Sequence, residues 1–240
     1  MKRHIRKKIK IIPQEMFSDN FLNIEPASSF LPKWYKESSG ITSDMHTELV
    51  PFNPSATTST YKKCMPFFDA MTSGYIVFLS ADLEVVKKES GMPYLLWRTD
   101  REIVTDHSID QWEGFPCPEG YSGWLYKWHN QFGLKTPKNY SLLFTSPFNR
   151  FDLPFSNISG IVDTDSYDMA VHFPFFIKNN FTGIIKKGTP IAQIIPIKNE
   201  YWKIELEKYD EKKVFLKVQK FRSTIKRSYK NGYWKRKEYK

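Results

Sequence analysis

The chain has 240 residues, 16% of them aromatic and 26% charged, and a formal net charge of +10. The charge is terminal: residues 1–10 carry six Lys/Arg, and residues 221–240 carry eight against the single acid Glu238, which leaves the stretch between them slightly acidic. These values exclude a compositionally disordered chain and allow one substantial core.

In chain order, residues 1–12 form a basic arm, 13–218 one domain, and 219–240 a basic tail rich in aromatic rings. Fifteen prolines spread through the chain forbid long helices, because an interior proline removes a backbone donor and clashes with the preceding turn. Residues 31–37 (LPKWYKE) suit a short helix with proline in its first turn. Runs rich in β-branched and aromatic residues predict strands at 74–79, 94–98, 141–145, 170–177, 183–185 and 191–197. Residues 201–218 alternate (Trp202, Ile204, Leu206, then Val214, Leu216, Val218) and predict a hairpin turning near Tyr209-Asp210-Glu211; residues 214–226 read alternatively as a helix. The predicted fold is mainly β: a single domain, a distorted barrel of short strands with few short helices.

Catalytic signatures are sparse. Five histidines (His4, His46, His107, His129, His172) form no metal-binding pair, and no dinucleotide loop, Walker loop or Gly-x-Ser-x-Gly elbow occurs. Cys64 and Cys117 are too few for a disulfide framework and imply reduced thiols. No window reaches the ~18 apolar residues of a membrane helix, and Pro13, Gln14 and Glu15 interrupt any leader-like stretch. A cytoplasmic protein without a membrane partner is expected. The remaining candidates are Asp163 and Asp165, two apart on an extended chain and so facing one side, with Tyr167 close by. Such a pair orients water or a cation, or caps its own backbone amides in an Asx turn. The tail interleaves Lys/Arg with Tyr229, Tyr233, Trp234 and Tyr239, a pattern that suits phosphate neutralisation with base stacking, or rings laid on the protein's own domain.

The segments KKCMPFFDAMTSGY (62–75), QWEGFPCPEGY (111–121), LKTPKNYSLLFTSPFNRFDLPF (134–155), GIVDTD (160–165) and GTPIAQIIPI (188–197) together resemble an uncharacterised family of tailed phages. The family includes T-even-like phages of marine cyanobacteria, occurs in some bacteria, and brings no established activity. This resemblance implies an accessory protein of an infected host cell. Residues 160–165 and 188–193 are also similar to the Gly-Val-Ile-Asp-x-Asp-Tyr segment and Gly-Asp-x-Ile-Ala-Gln turn of the dUTPase and dCTP deaminase superfamily. That resemblance implies a β-clip scaffold and a homo-oligomer, since trimers are common there. It makes Asp163 the water-orienting carboxylate, Tyr167 the ring against the deoxyribose and Gln193 a phosphate contact. It also places Ser146 close to the phosphate-contacting Arg-Ser pair, with Arg150 nearby, and adds Asp165 to the ligand-binding residues. The chain departs from the pattern: Thr145 replaces the phosphate-site arginine, Ile76 stands where the metal carboxylate belongs, and a basic aromatic tail replaces the glycine-rich arm. The expected function is therefore non-enzymatic binding of a ligand or partner, with no metal or other cofactor. The alternatives are a deoxynucleotide diphosphohydrolase or deaminase, which would need Mg²⁺, and a nucleic-acid-binding protein acting through its basic ends.

Overall fold

A computed structural model of the protein describes residues 7–14, 23–42, 58–223 and 228–240; residues 1–6 of the basic arm lie outside them. The strands are β1 (Lys10–Pro13), β2 (Ile24–Pro26), β3 (Ile41–Thr42), β4 (Thr58–Ser59), β5 (Tyr75–Phe78), β6 (Leu83–Lys87), β7 (Pro93–Trp97) and β8 (Val104–Asp106) in the first half. The second half adds β9 (Tyr121–Trp128), β10 (Phe132–Lys135), β11 (Tyr140–Thr145), β12 (Phe155–Asn157), β13 (Gly160–Val162), β14 (Phe173–Lys178), β15 (Gly183–Ile185) and β16 (Pro190–Lys198). Four short helices accompany them: α1 (Lys33–Glu37), α2 (Met65–Thr72), α3 (Glu211–Ser223) and α4 (Ser228–Gly232). The protein is mainly β, as expected, and α1 forms within the predicted 31–37, with Pro32 as its N-cap rather than in its first turn.

All strand pairs are antiparallel, in sheets ordered β13-β11-β16-β5-β2, β12-β14-β9-β8, β15-β6-β7, β1-β10 and β3-β4. The expected barrel does not close. Most strands are two to six residues long, and prolines lie at the ends of β1, β2, β7 and β16 and inside β14 and β16, so the chain cannot supply a continuous ladder of backbone donors. Two bulges, at Phe176/Lys178 and Pro190/Ala192, further break the register.

The core lies between the two larger sheets. Trp128, Phe144, Phe155, Phe175, Ile177 and Ile194 are buried there with Leu83 and Val85 from the small sheet. The Trp128 and Phe175 rings stack at 3.8 Å between centroids. On the far side of β16, the turn from α2 into β5 passes through Gly74 at φ +73°, where a Cβ would sit 2.0 Å from the Ile194 carbonyl oxygen. Only glycine lets α2 lie this close to β16.

The hairpin expected over 201–218 is absent. Residues 201–210 pair with no strand among the described residues, and α3 begins at Glu211. Asp210 decides this boundary: its Oδ1 accepts the Lys213 amide at 2.9 Å, and its carbonyl accepts the Val214 amide. That is a helix N-cap followed by an acid in the first turn.

Candidate functional site

The residues singled out from the sequence do not come together in one site. Asp163 follows β13, and its Oδ1 accepts the Ser141 hydroxyl at 2.6 Å, while Ser141 in turn accepts from Asn199 Nδ2 at 2.8 Å. Asp165 Oδ2 accepts the Asn139 amide at 2.8 Å, at a residue held in the left-handed region at φ +64°. Between them Thr164 is fully buried, with its hydroxyl 2.9 Å from that of Thr136 and its carbonyl accepting the Thr136 amide. The triplet therefore braces the turn between β10 and β11. Tyr167 is half-exposed on the surface beyond it.

The other three residues lie elsewhere. Ser146 Oγ accepts the Asn157 amide at 2.7 Å. Arg150 makes a two-pronged contact with Asp152, both bonds 2.8 Å, and this holds the Asp152 carboxyl below the usual carboxylate range. Gln193 is fully buried on β16: Nε2 donates to the Ala70 and Ser73 carbonyls at 2.8 and 2.6 Å, and Oε1 accepts the Phe148 amide at 2.9 Å. Its hydrogen-bonding groups are turned to the protein. Ile76, which pairs with Gln193 across the sheet, is buried and apolar. Cys64 and Cys117 are free thiols; Cys117 Sγ lies 3.2 Å from the Ser122 carbonyl, and partial burial raises its pKa, which works against a reactive thiolate.

The braced turn forms one wall of a cleft of about 690 Å³. Thr136, Pro137 and Tyr140 stand on that side, Lys7, Lys8 and Ile9 on another, and Arg236, Glu238, Tyr239 and Lys240 on a third, with Tyr75 between. A second hollow of about 490 Å³ shares Lys7, Lys8, Ile9, Tyr75 and Lys240 and runs over Ile11, Ile24, Leu134 and Ile194. The tail is fastened at two points. Trp234 Nε1 donates to both carboxylate oxygens of Asp69 on α2, at 2.9 and 3.1 Å, and Lys237 pairs with the same carboxylate. Farther on, the Tyr239 ring meets Tyr75 edge-on at 6.0 Å, and the Tyr75 hydroxyl donates to the Lys240 carbonyl at 3.3 Å. Burial, and secondarily Tyr239, raise the Tyr75 pKa. Within the cleft the Lys7 ammonium sits 3.9 Å from the centre of the Tyr140 ring, a cation–π contact that joins the arm to the braced turn. The sequence signals the tail through its alternation of cations and rings. It does not signal Tyr75 and Tyr140, which lie in ordinary strand sequence.

No protein-family model matches the chain, and no curated protein aligns with it. Among the described residues no group of three or more His, Cys, Asp or Glu is placed to hold a metal ion, and no helix is long and apolar enough to cross a membrane.

Away from the cleft, His129 and His172 stack at 4.2 Å. His129 Nε2 lies 2.6 Å from the Thr105 hydroxyl, and the Asn130 amide donates to His172 Nδ1 at 3.3 Å. Burial lowers both pKa values; Lys127 acts in the same direction on both rings, His129 adds to the effect on His172, and Glu102 opposes it. Both rings are thus held neutral in the fold, and the unfolded chain binds more protons as the pH falls. This contribution to stability is present above about pH 6.5, the ordinary histidine value, and is lost as the pH drops through the lowered folded-state values. The urea midpoint is expected to fall between neutral pH and pH ~5. His172→Phe should flatten that fall; an equally steep slope in the variant would assign it to other groups.

Proposed function

We propose that the protein is a non-enzymatic binding protein, a phage-type accessory factor, whose cleft takes a short single-stranded segment of nucleic acid. The observation that carries this reading is the convergence of both basic ends on one cleft: Lys7 and Lys8 from one, Arg236 and Lys240 from the other, around Tyr75, Tyr140 and Tyr239. Cations spaced along a groove neutralise successive phosphates, and aromatic faces accept bases of any sequence. Glu238 is the only acid among the described residues that line it, and it lies 3.7 Å from Arg236. The Asp163–Asp165 turn, whose carboxylates face Ser141 and Asn139, supports the wall that presents Tyr140.

Fluorescence anisotropy with a labelled single-stranded oligonucleotide tests this. With four cations engaged, log Kobs should fall with log salt at a slope of roughly −3, about −0.7 per phosphate. Tyr239→Ala should weaken binding by about 1–3 kcal/mol, the value of one lost stack. Salt-independent binding, or affinity unchanged when Lys7, Lys8, Arg236 and Lys240 are all glutamine, would overturn the reading. Incubation with dUTP or dCTP and Mg²⁺ should release no pyrophosphate; turnover abolished by Asp163→Asn would instead favour the hydrolase.

A further inference from the structure

Residues 200–223 and 228–233 make an excursion from the body. At its root the Asn199 amide donates to the Asn139 carbonyl, and on its return Trp234 reaches Asp69. The outgoing limb exposes its apolar side chains almost completely: Trp202 85%, Ile204 99% and Leu206 100%. Tyr201 and Tyr209 are similarly open. Folded chains rarely leave such side chains in water when they are contiguous. On α3, Val214, Phe215 and Val218 fall within about 100° of one another around the helix axis, and they too are exposed. Limb and helix leave each other uncovered, touching at the elbow through Glu207 and Lys213.

We infer that this excursion is a dimerisation arm, in which the extended limb of one copy lies on α3 of a second copy and receives the second copy's limb on its own α3. Three observations select a second copy as the occupant. The limb has alternating apolar residues and the helix has an apolar stripe, so one chain carries both halves of a self-complementary contact, as a two-fold interface requires. The charges match: residues 200–210 hold Glu200, Glu205, Glu207 and Asp210 against two lysines, while α3 holds five Lys/Arg against Glu211. The area suffices, since each partner covers one face of its limb (Trp202 at ~150–250 Å², with Ile204 and Leu206) and the Val214, Phe215 and Val218 stripe of its helix, which together approach the ~800 Å² per partner of a stable interface.

Light scattering coupled to size exclusion, at tens of micromolar, should give twice the chain mass of 28.4 kDa. The variant carrying Trp202→Ser, Ile204→Ser and Leu206→Ser should give the single-chain mass with an unchanged circular dichroism spectrum, because these side chains support nothing in the body. Glu205→Lys with Glu207→Lys should weaken self-association about tenfold, as should Lys212→Glu with Lys217→Glu. Mixing those two charge variants should restore a heterodimer, since the one reversed limb then meets the one reversed helix and the other contact keeps its native charges. A wild-type monomer, a three-chain mass, a serine variant that stays dimeric, or charge variants that fail to prefer each other would each overturn the inference.

Discussion

Replacing Trp128 by alanine is expected to destabilise the protein by about 3–5 kcal/mol, the range for removing a buried tryptophan. The ring is fully buried on β9, stacked on Phe175 and edge-on to Phe155 at 5.1 Å. Its Nε1 donates to Asn157 Oδ1 at 3.1 Å, while Asn157 Nδ2 reaches the Ile191 carbonyl. The substitution therefore opens a cavity between the larger sheets and also loosens the side chain that ties β12 to β16. Trp128→Phe keeps most of the stack and loses the hydrogen bond, so its cost should be much smaller, about 1–2 kcal/mol. Urea denaturation of both variants checks the order. Equal costs would show that the indole hydrogen bond, rather than the packing, dominates.

Gln193→Leu should have the second-largest effect, roughly 3 kcal/mol, from three buried groups losing partners at about 1–3 kcal/mol each, partly relieved by relaxation. The Ala70 and Ser73 carbonyls belong to the last turn of α2 and the residue just past it, where an α-helix has no backbone donors of its own to offer. Gln193 supplies them from the sheet, and through Phe148 holds the segment after β11 as well. A phosphate-contacting glutamine would behave in the opposite way, leaving the melting temperature alone and weakening ligand binding. The two roles separate cleanly if thermal unfolding and oligonucleotide affinity are measured on the same preparation.

Much of the strand content was legible. Residues 74–79, 94–98, 141–145, 183–185 and 191–197 overlap β5, β7, β11, β15 and β16, because β-branched and aromatic runs between prolines have few other uses. Neither β9 nor β6 was expected: Gly123 interrupts β9, and β6 carries Glu84 and Lys87. Their strand character comes from partners on either side. The limb at 201–206 shows the converse. Alternation reports where side chains point, and it holds whether or not a neighbouring strand exists.

At the candidate site, the reading of the Asp-x-Asp spacing assumes an extended chain, whereas residues 164–166 form a turn in which the Asp163 carbonyl accepts the Ser166 and Tyr167 amides. It is this turn that brings both carboxylates to residues 139–141. What they face depends on tertiary structure. Gln193 looked like a ligand contact because sequence does not reveal that the end of α2 is packed against it. The convergence of the two chain ends was hidden for the same reason: it is set by where β1 pairs with β10 and by a single carboxylate on α2.

That carboxylate has a consequence for how affinity is to be read. Asp69 is mostly covered, its side chain 14% exposed, and it alone accepts both Trp234 and Lys237, just ahead of Tyr239 and Lys240 on the cleft wall. Added salt competes for the phosphates of a ligand and also for the pairing that keeps this wall in place. A salt titration then follows two linked equilibria, and its slope is steeper than the share of about −0.7 per phosphate alone would make it. Asp69→Asn, which leaves an acceptor for the indole but no charge for Lys237, isolates the second process: its slope should be shallower than the wild type's by the share that belongs to the wall.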